Sequence, residues 1–461
     1  MSDTAPDWLD WICTAPDRAE LTRRYDDWAA RYDGDVASEW DGIPQWAVGL
    51  LGRLLGSRDA PVLDAGAGTG LAGLGLAAAG FRHLIALDIS PGMLAQAAAR
   101  GVYRETRVGA IADPGVLGAD ERFAGIVATG IFAAGHCGPA ELACLAGHLT
   151  PGGVLVFTAR AGVLTELTAT LDALDGEVLD GLESRVYDDQ PIHAIAWQAA
   201  GGAPRWVPIS ARADRSDIPA AAARPLTDRW ADVRWRGVAM DKGPFELAIL
   251  PQLIHEQQIR TVIELGTGRG GAALWFSDLL ALHGAEGRVV TVERDPDVLD
   301  PAVRHHPGVL CITGDCGQLP DILSPALLAE LPHPWLVIED AHDLELPAVL
   351  DWLDRNGLRR GDYVMVEDTS IDLIDAWSDW PDPRVFDQMR RKAAALRIWL
   401  VEHQARYRID TWYQDLFGYN ASKTWNGVLR VMQGQGPSRT GPEPLRAASL
   451  SDDAPQAEPP R

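Results

Sequence analysis

Positive charge and cysteine are both scarce in this chain. Its 461 residues carry 41 Lys plus Arg against 65 Asp plus Glu, a formal net charge of −24. A surface that tracks a phosphate backbone needs concentrated basic residues, so nucleic acid is disfavoured as a partner. Anionic lipid is disfavoured for the same reason. Long apolar runs are missing too, none approaching the roughly 20 residues needed to cross a bilayer. The opening stretch places acids where a secretory leader needs basic residues and then an apolar run. The five cysteines (Cys13, Cys137, Cys144, Cys311 and Cys316) are odd in number and scattered. Their pattern predicts reduced, inert thiols in a cytoplasmic setting. Cys311 and Cys316 lack the neighbouring ligands that zinc requires. What the chain has in plenty is apolar substance, 47% of its residues. That is enough core for the two or three domains its length predicts.

Two segments about 200 residues apart repeat one order of signals. In the first, Ala60-Pro-Val-Leu-Asp64-Ala-Gly66-Ala-Gly68-Thr-Gly70 reads as a buried strand running into a glycine turn. A helix follows, then His83 to Asp88 as a second strand. In the second, Arg260-Thr-Val-Ile-Glu264-Leu-Gly266-Thr-Gly268-Arg-Gly270 repeats the pattern, with Arg288 to Glu293 as the next strand. Further strands are expected at 125–129, 153–158, 335–339 and 363–366. Continuous aliphatic strands alternating with helices predict parallel sheets covered on both faces. The fold class expected is α/β, two doubly wound Rossmann-like domains in tandem, with ligands at the carboxyl ends of the strands. The boundaries expected are a first domain at 1–202, a linker at 203–225 rich in Gly, Pro, Ala and Arg, a second domain at 226–434, and a disordered tail at 435–461.

Glycine turns of this kind let backbone approach a ligand closely and aim helix amides at it. Both also match the dinucleotide fingerprint, which alone is weak. The discriminating feature is the acid two residues before the first glycine, Asp64 or Glu264. A pyrophosphate would be repelled there, whereas a ligand bearing an ammonium group would be attracted. A second acid follows, Asp88 or Glu293, suited to the two hydroxyls of a ribose. S-adenosylmethionine (SAM) carries both groups. The alternative is ordinary turn glycines flanked by solvated acids, and a nicotinamide oxidoreductase is a third possibility that the first acid disfavours.

Tyr25-Asp-Asp-Trp28-Ala-Ala-Arg-Tyr32-Asp33, VLDAGAGTG and LDISPGML together resemble a class I SAM-dependent methyltransferase of the Williams–Beuren-region methyltransferase-like group, over residues 20 to 200. The resemblance implies that Tyr25 and Tyr32 cover the cofactor, that Asp64 and Gly66 hold its methionine part, that Gly68 belongs to the same cofactor site, that Asp88 holds the ribose, and that Met93 lies near the adenine. The tyrosines are equally compatible with a helix packed on the sheet. His136, after the fourth strand, is a candidate base or a loop histidine.

Downstream, Val337-Ile-Glu339-Asp340-Ala-His342 and Val366-Glu367-Asp368 end neighbouring strands. Asp340, Glu367 and Asp368 either converge on a hard cation such as Mg²⁺ or cap the helices that come next. Five segments (WRGVAMDKGP, VIELGTGRGGAALW, IEDAH, GDYVMVEDT and YNASKTWNGVLR) resemble the cephalosporin hydroxylase and rhamnosyl O-methyltransferase family, over residues 230 to 432. That resemblance implies a SAM- and magnesium-dependent O-methyltransferase. Asp340, Glu367 and Asp368 would be its metal ligands, and Glu264, Gly266, Gly268 and Glu293 its cofactor contacts. Asp315 would lie near the adenine, and His342 would be a base or a support beside the metal.

The functional expectation is a SAM-dependent O-methyltransferase acting on a small molecule, first of all esterifying a carboxylic acid. A carboxylate is already ionised near neutral pH and needs only orientation and desolvation. The alternatives are methylation of a hydroxyl on a sugar or secondary metabolite, or one working unit beside a binding or scaffold unit. The other expectations are a hard divalent ion as second cofactor, no nucleic-acid or membrane partner, and possible homo-oligomers.

Overall fold

The computed structural model describes residues 8–36, 42–187, 190–202, 204–227, 232–284, 287–341, 345–370 and 383–432. Met1–Gly202 and Ala203–Gly436 delimit two compact units. The tail at 435–461, read as disordered, lies outside the described residues.

The first unit contains β1 (Val62–Ala65), β2 (Leu84–Asp88), β3 (Glu105–Val108), β4 (Phe123–Phe132), β5 (Leu149–Arg160), β6 (Gly176–Tyr187) and β7 (Gln190–Ala199), in the order 3-2-1-4-5-7-6. β1 to β5 run parallel, and β7 then β6 add antiparallel at the far edge. The order reverses between β1 and β4, and that switch point is where a doubly wound sheet opens a crevice at its strand ends. Leu63, Ile85 and Ile126 face one buried layer, and Val62, Leu84 and Val127 are buried as well. Cover on both faces explains why these strands are aliphatic throughout rather than alternating.

The second unit repeats the plan with β8 (Trp206–Val207), β9 (Arg234–Trp235), β10 (Val238–Ala239), β11 (Thr261–Leu265), β12 (Arg288–Glu293), β13 (Val309–Thr313), β14 (Trp335–Glu339), β15 (Tyr363–Val366), β16 (Tyr407–Asp410) and β17 (Val428–Val431). β9 and β10 form a hairpin, and the main sheet runs 13-12-11-14-15-17-16-8. Ile263, Val290, Val337 and Val364 pack into one core layer. Their neighbours Val262, Val289, Leu336 and Tyr363 pack into the other.

The linker expected at 203–225 is corrected. Trp206 and Val207 pair with Asp410 and Ile409 as the outermost strand of the second sheet. Arg205 is buried on Asp410 at 2.9 Å, and Arg212 on Asp415 at 2.6 Å. A Gly-, Pro- and Ala-rich composition reads as loose, but its arginines neutralise acids inside the second unit. Among the described residues no helix is long and apolar enough to cross a membrane. The five cysteines are thiols and not disulfides, and burial pushes the Cys137 thiol up to about 12.

Candidate functional sites

Each unit builds the same frame at the carboxyl ends of its first two strands. In the first unit Asp88 ends β2, and its two oxygens accept hydrogen bonds from the Gly68 amide at 2.8 Å and the Ser90 amide at 2.9 Å. In the second, Glu293 ends β12 and accepts from the Gly268 amide at 2.9 Å and the Asp295 amide at 3.0 Å. The acid one strand over is sealed in. Asp64 on β1 is fully buried and accepts from the Tyr103 hydroxyl at 2.5 Å, while its other oxygen, Oδ1, has no hydrogen-bond partner among the described residues. Glu264 on β11 is buried and accepts from the Thr291 hydroxyl at 2.6 Å. Burial raises both acids to about 7, the nearby hydroxyls and, for Glu264, Lys242 working against it.

Two glycines are dictated by these close approaches. A Cβ on Gly266 would stand 2.6 Å from the Asp340 carbonyl oxygen, and Gly266 has φ +95°. A Cβ on Gly73 would stand 2.0 Å from the Tyr103 hydroxyl, so that glycine lets Tyr103 reach Asp64.

In the first unit the helix Arg18–Trp28 lays an aromatic row over a cleft. Tyr25, Trp28, Tyr32 and His136 line it together with Thr158 and Arg160. Tyr25 and Trp28 stack with centroids 6.3 Å apart, and Tyr32 meets Trp28 edge-on. The Tyr25 hydroxyl is 2.9 Å from His136 Nε2. Burial lowers the His136 pKa, and the Arg160 charge lowers it further, against the Ala134 carbonyl. Two acids on the N-terminal segment anchor this cover: Asp26 accepts from the Ser90 hydroxyl at 2.6 Å and the Gly92 amide at 2.8 Å, and Asp33 accepts from Thr69 at 2.5 Å. Met93 is buried in the first turn of the helix Pro91–Ala99, its amide capped by Ser90.

The second unit carries charge where the first carries aromatics. Register sets Leu265, Glu339 and Val366 level, so Asp340 and Glu367 emerge side by side, and Asp368 comes next with φ +59°. The three carboxylates do converge. Two ammonium groups sit among them. Lys242 Nζ is 2.7 Å from Asp340 and 2.9 Å from both oxygens of Glu367. Lys423 Nζ is 2.8 Å from Glu367, 3.2 Å from Asp368 and 3.8 Å from Asp340. Burial raises Asp340, whereas the two lysines overcome burial at Glu367 and hold it low. One residue further in, Lys392 pairs with Glu339 at 2.6 Å. Glu246, in the first turn of the helix Pro244–Glu256, turns one oxygen to the Gly243 amide and leaves Oε1 buried without a hydrogen-bond partner among the described residues.

The donor set suits a hard cation in kind. In arrangement it is closed around ammonium groups, and among the described residues no group of three or more His, Cys, Asp or Glu side chains stands ready to hold a metal. Asp315 is exposed, caps the turn after β13 through the Gly317 amide at 2.9 Å, and lies at the strand end beside Glu293. His342 lies outside the described residues.

Sequence reasoning missed the lysines, yet the signal was present. Of 41 basic residues only three are lysine, Lys242, Lys392 and Lys423, and all three lie in this cluster. Tyr103 was missed because nothing in its neighbourhood marks a partner for an acid 39 residues away.

Comparison with known proteins agrees with this division. A family model described as Rhamnosyl O-methyltransferase/CmcI matches residues 227–431, and one described as Methyltransferase domain matches 62–153. Human Methyltransferase-like protein 27 is 32% identical over 219 residues, 46% of this chain and 84% of that protein. Rhamnosyl O-methyltransferase of Mycobacterium tuberculosis (strain H37Rv) is 27% identical over 145 residues, 31% of this chain and 59% of that protein. Among solved structures, one described as cmcI-D160 Mg-SAM is 26% identical, covers 50% of this chain and 92% of its own, and has a TM-score of 0.33.

Proposed function

Because this chain belongs to the SAM-dependent O-methyltransferases, as a two-domain member with a Methyltransferase domain match at 62–153, a Rhamnosyl O-methyltransferase/CmcI match at 227–431 and Methyltransferase-like protein 27 as a relative, we propose that it esterifies the carboxyl group of a small molecule. One observation carries the choice of acceptor: the cleft of the first unit sets Arg160 beside a histidine whose pKa is lowered. A fixed positive charge suits an acceptor that is already an anion, and a weak base suits one that has no proton to lose.

The cofactor roles come from the frame. SAM supplies an electrophilic methyl group. Asp64 and Glu264 take its ammonium, and the unpartnered Asp64 Oδ1 is an atom such a group would satisfy. Asp88 and Glu293 keep lone pairs free beside their amide donors and take the ribose hydroxyls. Tyr25, Trp28 and Tyr32 shut water from the first cleft, Arg160 orients the acceptor carboxylate, and Tyr25 keeps the His136 ring in place. In the second unit Asp340, Glu367 and Asp368 would hold a divalent ion such as Mg²⁺. That ion would lower the pKa of an acceptor oxygen, which favours a second reading there, a sugar hydroxyl, in line with the name of the mycobacterial relatives.

The test is transfer from methyl-labelled SAM to a mixed panel of small carboxylic acids and alcohols, with mild alkali afterwards. Label released as methanol supports the ester. Label that survives alkali rejects it in favour of an ether.

A further inference from the structure

All three lysines of a chain that otherwise uses arginine are buried against the acids at the ends of β14 and β15. A guanidinium is a broad planar fork, while an ammonium is a compact point charge. The site therefore demands the cation closest in shape to a metal ion. Asp340, Glu367 and Asp368 against Lys242 and Lys423 leave one formal negative charge. Glu246, a fourth buried acid that feels Lys423, adds to that excess of negative charge.

The two lysines are not equivalent. The Lys242 side chain is 1% exposed, leads directly into the helix that starts at Pro244, and contacts Asp340 and Glu367 tightly. The Lys423 side chain is 11% exposed and touches all three acids, at 2.8 Å to Glu367, 3.2 Å to Asp368 and 3.8 Å to Asp340. Its backbone is pinned, because its carbonyl accepts from the Thr369 and Ser370 amides, so its side chain can leave without moving the loop. Glu246 supplies an independent sign that the cluster is short of a ligand. It is 99% buried, its Oε1 lacks a hydrogen-bond partner among the described residues, and Lys423 and Glu367 are among the charges it feels.

We propose that Lys423 is a displaceable internal cation, which sits among Asp340, Glu367 and Asp368 and gives up its place to a hard divalent ion. This rests on the reading of those acids as metal ligands. Lys423 is thus a positioning residue that sets metal affinity.

The test is Mn²⁺ binding to the full chain, measured by water-proton relaxation, for the unchanged protein, Lys423→Met and Lys392→Gln. Displacement predicts Mn²⁺ binding at least about tenfold tighter in Lys423→Met, because the competitor is gone. Lys392→Gln removes the same charge beside Glu339 without vacating the place, and its gain should stay under about threefold. Equal gains in both variants would reduce the effect to general charge and overturn displacement, as would unchanged or weaker binding in Lys423→Met. No Mn²⁺ binding in any of the three would overturn the metal reading itself. If Lys423→Met does not fold, Lys423→Gln, which keeps a donor toward the acids, takes its place with the same expectations.

Discussion

The two units share a frame and differ in the side chains that stand on it. Both hold an acid with the amide of the second turn glycine, Asp88 with Gly68 and Glu293 with Gly268, and both bury a second acid beside it. Above the frame, the first unit has aromatic rings, one neutral histidine and one arginine. The second has carboxylates with lysines between them. The frame is made by strand ends and turn amides, which any doubly wound sheet provides. The side chains that differ come from the segments before the frame, Tyr25, Trp28 and Tyr32 in one unit and Lys242 in the other, and from those beyond the fourth and fifth strands of each parallel run, His136 and Arg160 against Asp340, Glu367 and Asp368.

The contrast is broken hardest by removing the charge that holds the second site together. Lys242→Met takes one of two ammonium groups from Asp340 and Glu367 and leaves them to Lys423, and a loss of about 3–5 kcal/mol is expected for the second unit in urea unfolding. An unchanged midpoint would show that Lys242 is not what the acids depend on. Next in size is a test of whether the frames are equivalent. Asp64→Asn and Glu264→Gln should each weaken SAM about 10- to 150-fold at one unit only, as expected for a charge-assisted bond of about 1.5–3 kcal/mol. Calorimetry should then count two sites in the unchanged protein and one in each variant. A single site before mutation would make one unit a scaffold.

The third prediction is pH dependence. With Asp64 and Glu264 lifted to about 7 by burial, both are largely protonated in mildly acidic solution. A cationic ligand favours the ionised form, so binding lowers their pKa and releases protons. Affinity should be highest above pH 7 and fall by up to about tenfold per unit below it. Equal heats in buffers of different ionisation enthalpy at pH 6.5 would contradict this. For the ligand-free fold the sign is reversed: a raised carboxylate pKa contributes stability below the unfolded value near 4 that is lost as pH rises toward 7. The smallest effect expected is His136→Asn, with less than a tenfold drop in ester formation, because an ionised acceptor needs no base. A drop of a hundredfold or more would move the first unit to hydroxyl chemistry.

Much of this was legible before the structure. Asp64, Asp88, Glu264 and Glu293 announce themselves because a glycine turn and an acid at a strand end are local, and β14 and β15 fall at 335–339 and 363–366 as their aliphatic runs predict. Long-range partnerships were not legible. Lys242 reaches Glu367 across 125 residues and Tyr103 reaches Asp64 across 39, and no periodicity encodes either. The segment 203–225 was misread because composition reports the looseness of a backbone and not the acids its arginines meet.

That segment also decides where this molecule can be cut. A fragment begun at 226 would lose β8, leaving the hydrogen-bonding edge of β16 bare and the buried Asp410 without Arg205. An uncovered strand edge is a template for pairing with another copy of itself, so such a fragment invites sticking and precipitation. The autonomous cloning unit starts near 203, about two dozen residues earlier than composition suggests.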